Sequence, residues 1–221
     1  VGGGTPSTSS PAFEVSAHAT VYLTLEGTNT LVSGEGKAGI YVPANANLFI
    51  EESEKGGSVD VRGGLGGAGI GGQGSGTEPS GNITINSGTV NASGGGSCAG
   101  IGGSVSASCG TITINGGTVE ARGGEGTSMP GGMGIGCGGQ FANGSSQTKL
   151  GGTVILNGGK ITAIGGENPA TGKKSSGIGS ASVTTGKTNG EATIVTNAID
   201  RRTSTAGLQG LVWNEDETVG M

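Results

Sequence analysis

The stretch GTITINGGTVEARGG, at residues 110–124, decides the fold because nearly the same sequence occurs three times in the chain. It occurs earlier as GNITINSGTVNASGG, at residues 81–95, and later as GGTVILNGGKITAIGG, at residues 151–166. In every copy apolar residues alternate with polar residues, which is the two-residue period of a β-strand. Each copy therefore predicts two short strands, joined at a corner where Gly and Asn tolerate a positive φ.

A third short segment, AGIGG at residues 99–103, completes a repeat of about 30 residues, a period typical of solenoids. We call the three parts of the repeat the first, second and third segments. First segments lie at residues 23–27, 48–52, 83–87, 112–116 and 154–158. Second segments lie at residues 58–64, 89–95, 118–124 and 160–166, and third segments at residues 38–42, 68–72, 99–103, 133–137 and 176–180. We interpret residues 10–15 as a degenerate third segment, and residues 190–202 as an altered first and second segment.

No single segment is long enough to bury its own apolar face, so equivalent segments must stack on one another. The predicted fold is an all-β, right-handed parallel β-helix with three short strands in each of about five to six coils. We expect the β-helix to occupy residues 12–206. Residues 1–11 are predicted to form a Gly/Ser/Thr/Pro tail, and residues 207–221 a C-terminal cap or last partial coil.

The alternation also predicts the core and one polar ladder. Asn86, Asn115 and Asn157 occupy equivalent corners, where we expect their side chains to stack. In the third segment isoleucine is the one large side chain, which suits a tight side of the coil where backbone approaches backbone. The side chains predicted to be buried are Ile70, Ile83, Ile85, Val90, Ile101, Ile112, Ile114, Val119 and Ile135.

Composition argues against several classes of function. The 53 glycines among 221 residues follow no Gly-X-Y pattern, which excludes collagen and favours a thin, repetitive core. A net charge of −5 argues against nucleic acid and against an anionic membrane as partners. No run of about 18 apolar residues occurs, so no membrane insertion is expected. The three cysteines form no CxxC motif and there is one histidine, so a zinc site has little support.

The outward positions of the second segment carry the charged candidates for a site. Asp60, Asn91 and Glu120 fall in one row, with Arg62 and Arg122 in the next row. Asp60 and Glu120 would lie two coils apart, about 9.6 Å, which is wide for a retaining glycosidase pair and within the inverting range. The pattern favours a solvated face first and a glycan-contacting face second. It disfavours catalysis, because Asn91 intervenes and the arginines would form ordinary surface ion pairs. We therefore predict that the protein is not an enzyme.

Aromatic residues are scarce, and sugar-binding sites commonly place such rings against the sugar. Tyr41, Phe141 and Trp213 are the candidates most expected to be exposed. For Trp213 an alternative role, plugging the end of the core, is favoured over a sugar contact.

Two further features remain open at this point. The acidic cluster EESEK, at residues 51–55, could offer oxygen ligands to Ca²⁺, although a hydrated turn is the favoured interpretation. Cys98 and Cys109 flank the same third segment and are predicted to form a disulfide, which leaves Cys137 as a free thiol.

The repeat ITINGGTVEARGG…GIGCGG, preceded by GTITI, resembles the glycine-rich β-helix repeats of secreted and cell-surface bacterial proteins. It is especially similar to the clostridial carbohydrate-binding β-helix family that includes a polygalacturonate-binding protein. The resemblance implies an extracellular, non-catalytic adhesive module with calcium-assisted binding of acidic plant polysaccharide. Its expected partner is a polysaccharide or a host or matrix glycan. The alternative function is a structural stalk or fibre subunit that stacks coil end to coil end.

Overall fold

The computed structural model describes residues 10–74, 77–127, 130–139, 151–184, 193–196, 204–207 and 212–215. All of the strands named here lie in those ranges, and no helix there is long and apolar enough to cross a bilayer. The strands are β1 (Phe13–Glu14), β2 (Thr20–Val32), β3 (Ile40–Tyr41), β4 (Asn47–Leu65), β5 (Ile70–Gly71), β6 (Asn82–Ile85), β7 (Thr89–Gly95), β8 (Ile101–Gly102), β9 (Thr111–Ile114), β10 (Thr118–Arg122), β11 (Ile135–Gly136), β12 (Thr153–Leu156), β13 (Lys160–Ile164), β14 (Glu167–Asn168), β15 (Lys173–Lys174), β16 (Ile178–Gly179), β17 (Ser182–Thr184), β18 (Thr193–Thr196), β19 (Ser204–Gly207) and β20 (Val212–Glu215).

Equivalent strands stack in parallel, which confirms the predicted parallel β-solenoid, here of about five coils. The third segments form a six-stranded sheet in the order β1-β3-β5-β8-β11-β16. The first segments stack as β4-β6-β9-β12-β17-β19, and the second segments as β4-β7-β10-β13-β18-β20. Both of these stacks belong to one twelve-stranded sheet, because β4 and its partner β2 run through both. The small antiparallel pair β14-β15 lies in an insertion after a second segment.

In the first two coils the arrangement differs from three short strands per coil. β2 and β4 continue without a break from the first segment into the second. Where β2 uses only Glu26 between Leu25 and Gly27, β4 uses residues 53–56 between their partners, Glu52 and Gly57. The extra residues form an irregularity in the strand pairing at the EESEK corner, and the pairing resumes beyond it.

The predicted alignment of residues 23–27 with residues 48–52 is wrong by two positions. Leu23 pairs with Ile50 and Tyr22 pairs with Phe49. A shift of two residues returns every side chain to the same face of a strand, so the alternation of apolar residues cannot detect it. The corrected register puts Tyr22, and not Thr24, in the outward row that contains Phe49.

Strand pairing identifies the repeat segments at both ends of the array. β1 pairs in parallel with β3, which confirms residues 10–15 as a third segment. β18 pairs with the second-segment strand β13, so residues 193–196 form a second segment only. The first segment of that coil is β17, three residues long, which pairs with β12. Its brevity is the reason that the sequence pattern did not reveal it.

The core is a column of aliphatic side chains between the stacks. All nine residues predicted to be buried are at most 1% exposed. In the six-stranded sheet five of the strands each contribute one isoleucine that stacks on the next, since the register pairs Ile40, Ile70, Ile101, Ile135 and Ile178 in sequence.

Glycine makes the thin side of the coil possible. A Cβ added at Gly100 would lie 2.7 Å from the backbone N and 2.8 Å from the backbone O of Arg122, in the second stack. Gly102 has a φ of +135°, and its Cβ would overlap the carbonyl oxygen of Gly136 on the next coil. The third stack therefore packs backbone against backbone, as its sequence predicts.

Candidate functional site

The outward side of the first stack presents a continuous row that begins with two aromatic residues. The strand pairing aligns Tyr22 with Phe49 and continues the row through later coils. We call this row, with the polar rows on either side of it, the aromatic face. The central row consists of Tyr22, Phe49, Thr84, Thr113 and Ile155.

Tyr22 and Phe49 form a stacked pair at one end of the aromatic face. Their ring centroids are 4.8 Å apart and their planes differ by 15°. Phe49 is half-buried, whereas Tyr22 is 67% exposed. Phe49 covers one side of the Tyr22 ring, and among the described strands β2 pairs with β4 alone. The structure therefore holds a rigid, solvent-facing aromatic ring beside the edge of the solenoid.

A ladder of polar side chains runs along one side of the central row. Asn47 donates from Nδ2 to Thr20 Oγ1 at 3.1 Å, and Asn82 donates from Nδ2 to Asn47 Oδ1 at 3.0 Å. The Asn82 Oδ1 in turn accepts from the Thr111 backbone N at 3.0 Å. An asparagine amide has two N–H donors and two acceptor lone pairs. Each amide in this ladder therefore retains hydrogen-bonding capacity toward solvent.

The predicted asparagine ladder borders the other side and is confirmed. Asn115 donates from Nδ2 to Asn86 Oδ1 at 2.8 Å, and Asn157 donates to Asn115 Oδ1 at 2.7 Å. The ladder fixes the corner between the first and second segments in three successive coils. The aromatic face is thus an apolar and threonine-containing strip, bordered on one side by the ladder of Asn47 and Asn82. The ladder that begins at Asn86 borders its other side beyond the aromatic pair.

The second stack carries the charged candidates, and the predicted rows are confirmed. Asp60, Asn91 and Glu120 are successive register partners, and Arg62 and Arg122 lie in the next outward row. We call these five residues the charged face. Their positions are established, whereas their role in binding stays a prediction.

Within the charged face each arginine pairs with the acid on its own strand. Arg62 Nη2 lies 3.1 Å from Asp60 Oδ2, and Arg122 Nε lies 2.6 Å from Glu120 Oε1. The hydrogen bond and the charge of Asp60 raise the pKa of Arg62. Exposed pairs of this kind stabilise a fold by about 0–1 kcal/mol. They leave the carboxylates occupied by arginine, which is the arrangement of an ordinary charged surface.

Of the three aromatic residues predicted to contact sugar, the structure describes the backbone of two and the side chain of Tyr41. Tyr41 is half-buried in the third stack, next to its register partner Glu14. Its partial burial, with a smaller effect from the Glu14 carboxylate, raises the pKa of Tyr41. Trp213 lies on β20, where its backbone is the register partner of Ile194. Phe141 lies outside the described residues.

The predicted Cys98–Cys109 disulfide is not formed, since Cys98 and Cys109 are both buried thiols. The backbones of Val105 and Gly66 hydrogen-bond to the Cys98 thiol, whereas Cys109 contacts Cys137. Proximity in sequence was misleading here, because the corner at residues 104–110 turns Cys109 toward the following coil.

In the EESEK corner, Glu52 and Lys55 make hydrogen bonds within the protein. Lys55 Nζ lies 2.8 Å from Glu26 Oε1, and Glu52 Oε2 accepts from the Gly57 backbone N at 3.4 Å. In the described part of the chain no three His, Cys, Asp or Glu side chains group closely enough to hold a metal ion. Residues 51–55 lie within strand β4, and calcium binding stays a proposal.

Tyr22 and Phe49 are the residues that sequence reasoning missed as a site. The signal was present in the sequence VYL at residues 21–23, where Tyr22 stands between two core-facing residues and so must point outward. The two-residue error in alignment hid its stacking on Phe49.

Matches to a known repeat family follow the boundaries of the coils. A family model described as a beta helix repeat matches residues 83–105, 112–139 and 154–182. Each match begins at the second residue of a first-segment strand, β6, β9 or β12, and ends beyond the third segment of the same coil. The chain thus carries β-helix repeats of this kind. No curated protein and no solved structure matches the chain.

Proposed function

We propose that this β-solenoid is a non-catalytic, extracellular carbohydrate-binding module whose ligand lies along the aromatic face. The observation that carries the proposal is the exposed Tyr22 ring, stacked on Phe49 beside the ladder of Asn47 and Asn82. A sugar ring has an apolar C–H face and a rim of hydroxyl groups. An aromatic ring and neighbouring amides match those two parts of the sugar.

The repetition of the site favours a polymer over a single sugar. Polar groups recur on successive coils with a spacing of about 4.8 Å. A polysaccharide laid along the coil axis would meet Tyr22 first and then the amides of successive coils. The charged face lies on a different stack and does not extend this surface.

The charge of the protein bears on the class of polysaccharide. With a net charge of −5, the chain repels an anionic polymer unless cations intervene. A neutral polysaccharide is therefore the first candidate. An acidic one such as polygalacturonate, which the repeat resemblance implies, would need calcium to bridge carboxylates of the protein and the ligand.

Binding assays on immobilised polysaccharides test the proposal. The purified chain is applied to a neutral β-linked glucan and to polygalacturonate, each with calcium and with chelator. Tyr22→Ala is expected to weaken binding about tenfold, equivalent to about 1.4 kcal/mol, whereas Tyr22→Phe retains it. Tyr41→Phe, on the third stack, is the matched control and should bind like the unmodified chain. Unchanged binding by Tyr22→Ala would place the site elsewhere, and no binding to any polysaccharide would refute the function.

The open edge of β2 favours one alternative, self-assembly of coil ends. β2 is 13 residues long, contains neither Pro nor Lys, and among the described strands pairs with β4 alone. Long edge strands without such protective residues can pair with another chain. Light scattering at tens of micromolar protein separates the two functions. A monomer supports the binding module, whereas filaments or a rod that lengthens with concentration support a fibre subunit.

A further inference from the structure

We infer that Cys109 and Cys137 are a disulfide-forming pair, which links neighbouring coils when the protein folds under oxidising conditions. The inference does not depend on the proposed carbohydrate ligand. It differs from the pairing suggested by sequence, which joined Cys98 to Cys109.

The geometry brings both sulfur atoms to one place. The Cys109 thiol donates to the carbonyl oxygen of Gly151 with an Sγ–O distance of 3.8 Å, and the Cys137 thiol donates to the same oxygen at 3.7 Å. The two thiols also interact with each other. Because both sulfur atoms lie within 3.8 Å of one carbonyl oxygen, little movement is needed to join them.

The backbone around the pair is held by bonds between coils. Gly138, directly after Cys137, donates its N–H to the carbonyl oxygen of Ala107 at 3.0 Å. The corner before Cys109 and the end of β11 are therefore tied together independently of the thiols. A disulfide would reinforce this existing contact without drawing distant segments together.

Burial determines when the bond can form. Cys109 is 1% exposed and Cys137 is 0% exposed, so an oxidant cannot reach either thiol in the closed coil. The neighbouring Cys137 thiol and, after it, burial raise the pKa of Cys109, which keeps it protonated and unreactive once folded. The bond must therefore form during folding or local opening, and reductants would then reach it equally poorly.

The reaction is a thiol–disulfide exchange with a small-molecule disulfide as oxidant. One cysteine thiolate attacks the oxidant, forms a mixed disulfide and releases one small thiol. The second cysteine thiolate attacks the mixed disulfide, forms the Cys109–Cys137 bond and releases the second small thiol. The protein loses two protons and two electrons, and the oxidant is reduced to two thiols.

Peptide mapping of the whole chain tests the inference directly. The chain is refolded in a mixture of reduced and oxidised glutathione, remaining thiols are alkylated, and the product is digested with trypsin. Cys98 and Cys109 lie on the tryptic peptide of residues 63–122, and Cys137 lies on that of residues 123–149. The expected result is these two peptides joined, with one alkylated cysteine. Three alkylated cysteines, or a bond within peptide 63–122, would overturn the inference.

Single substitutions identify the partners. Cys98→Ala should retain the joined peptides, whereas Cys109→Ala and Cys137→Ala should each abolish them. Oxidised unmodified protein and oxidised Cys98→Ala should each melt about 5–10 °C above their reduced forms. Cys137→Ala should show no such difference. If Cys98→Ala folds normally, loss of the joined peptides in this variant would contradict the assignment.

Discussion

Asn115 is bonded to Asn86 across one coil step, with 2.8 Å between Asn115 Nδ2 and Asn86 Oδ1. Asn157 repeats the contact to Asn115 at 2.7 Å. The middle amide, that of Asn115, donates to one neighbour and accepts from the other, so the ladder keeps successive corners in register. Its continuity also defines one border of the aromatic face.

Removing the middle of this ladder should lower stability by more than an ordinary surface change. Asn115→Ala deletes both ladder bonds, and we expect a loss of about 1–2 kcal/mol in the free energy of unfolding. Asn91→Ala, an exposed position on the charged face, is the matched control and should stay within about 0.5 kcal/mol. Urea unfolding of both variants measures the difference. Equal effects would mean that the ladder makes no net contribution.

The core register can be tested on a single strand. Ile114 is fully buried, whereas its neighbour Thr113 lies in the outward row. Ile114→Ala should reduce the free energy of unfolding by about 2–5 kcal/mol, because it leaves a cavity between coils. Thr113→Ala removes fewer atoms from a half-exposed site and should cost well under 1 kcal/mol. Denaturant unfolding of both variants measures the two losses in the free energy of unfolding. Equal losses would contradict the register.

The repeat correctly predicts features that follow from the alternation of apolar and polar residues. It does not distinguish between strand alignments that place equally suitable residues in the core. Burial of Ile112 and Ile114 and outward placement of Asp60 follow from the two-residue period and are confirmed. The predicted alignment of β2 with β4 was wrong by two residues because Val21, Leu23 and Leu25 suit the core equally well. That ambiguity concealed the stacking of Tyr22 on Phe49.

The candidate site was less predictable than the fold for a related reason. Contacts across coils depend on how each corner bends, and the repeat pattern does not encode the bend. Cys109 lies in a corner and Cys137 in a third segment, 28 positions further along the sequence, so alignment of equivalent segments could not bring them together. The extra residues 53–56 in β4 likewise follow no repeat rule and alter the local path of the chain.

Alanine substitutions at Gly36 and Gly102 should destabilise the protein by very different amounts. Gly36 has a φ of +74° and open space around an added Cβ, so Gly36→Ala should cost only backbone strain of about 1–2 kcal/mol. Gly102 combines a φ of +135° with a Cβ position that overlaps the carbonyl of Gly136. Gly102→Ala should therefore destabilise the protein by clearly more than Gly36→Ala. Thermal melting compares the two, and similar melting temperatures would show that the coils can separate locally at little cost.

The stability of the reduced protein should depend on pH through the Cys98 thiol. Burial raises the pKa of Cys98 from 9.0 to about 12. Below the unfolded value the thiol is protonated in both states, so its contribution is fully present. Between about pH 9 and pH 12 the unfolded chain releases this proton while the folded chain keeps it, and the free energy of unfolding falls by up to about 1.4 kcal/mol per pH unit. Cys98→Ala, measured by urea unfolding with reductant at pH 8 and pH 10.5, should lose less stability over that interval than the unmodified chain. An equal loss in both proteins would show that Cys98 is solvated in the folded state.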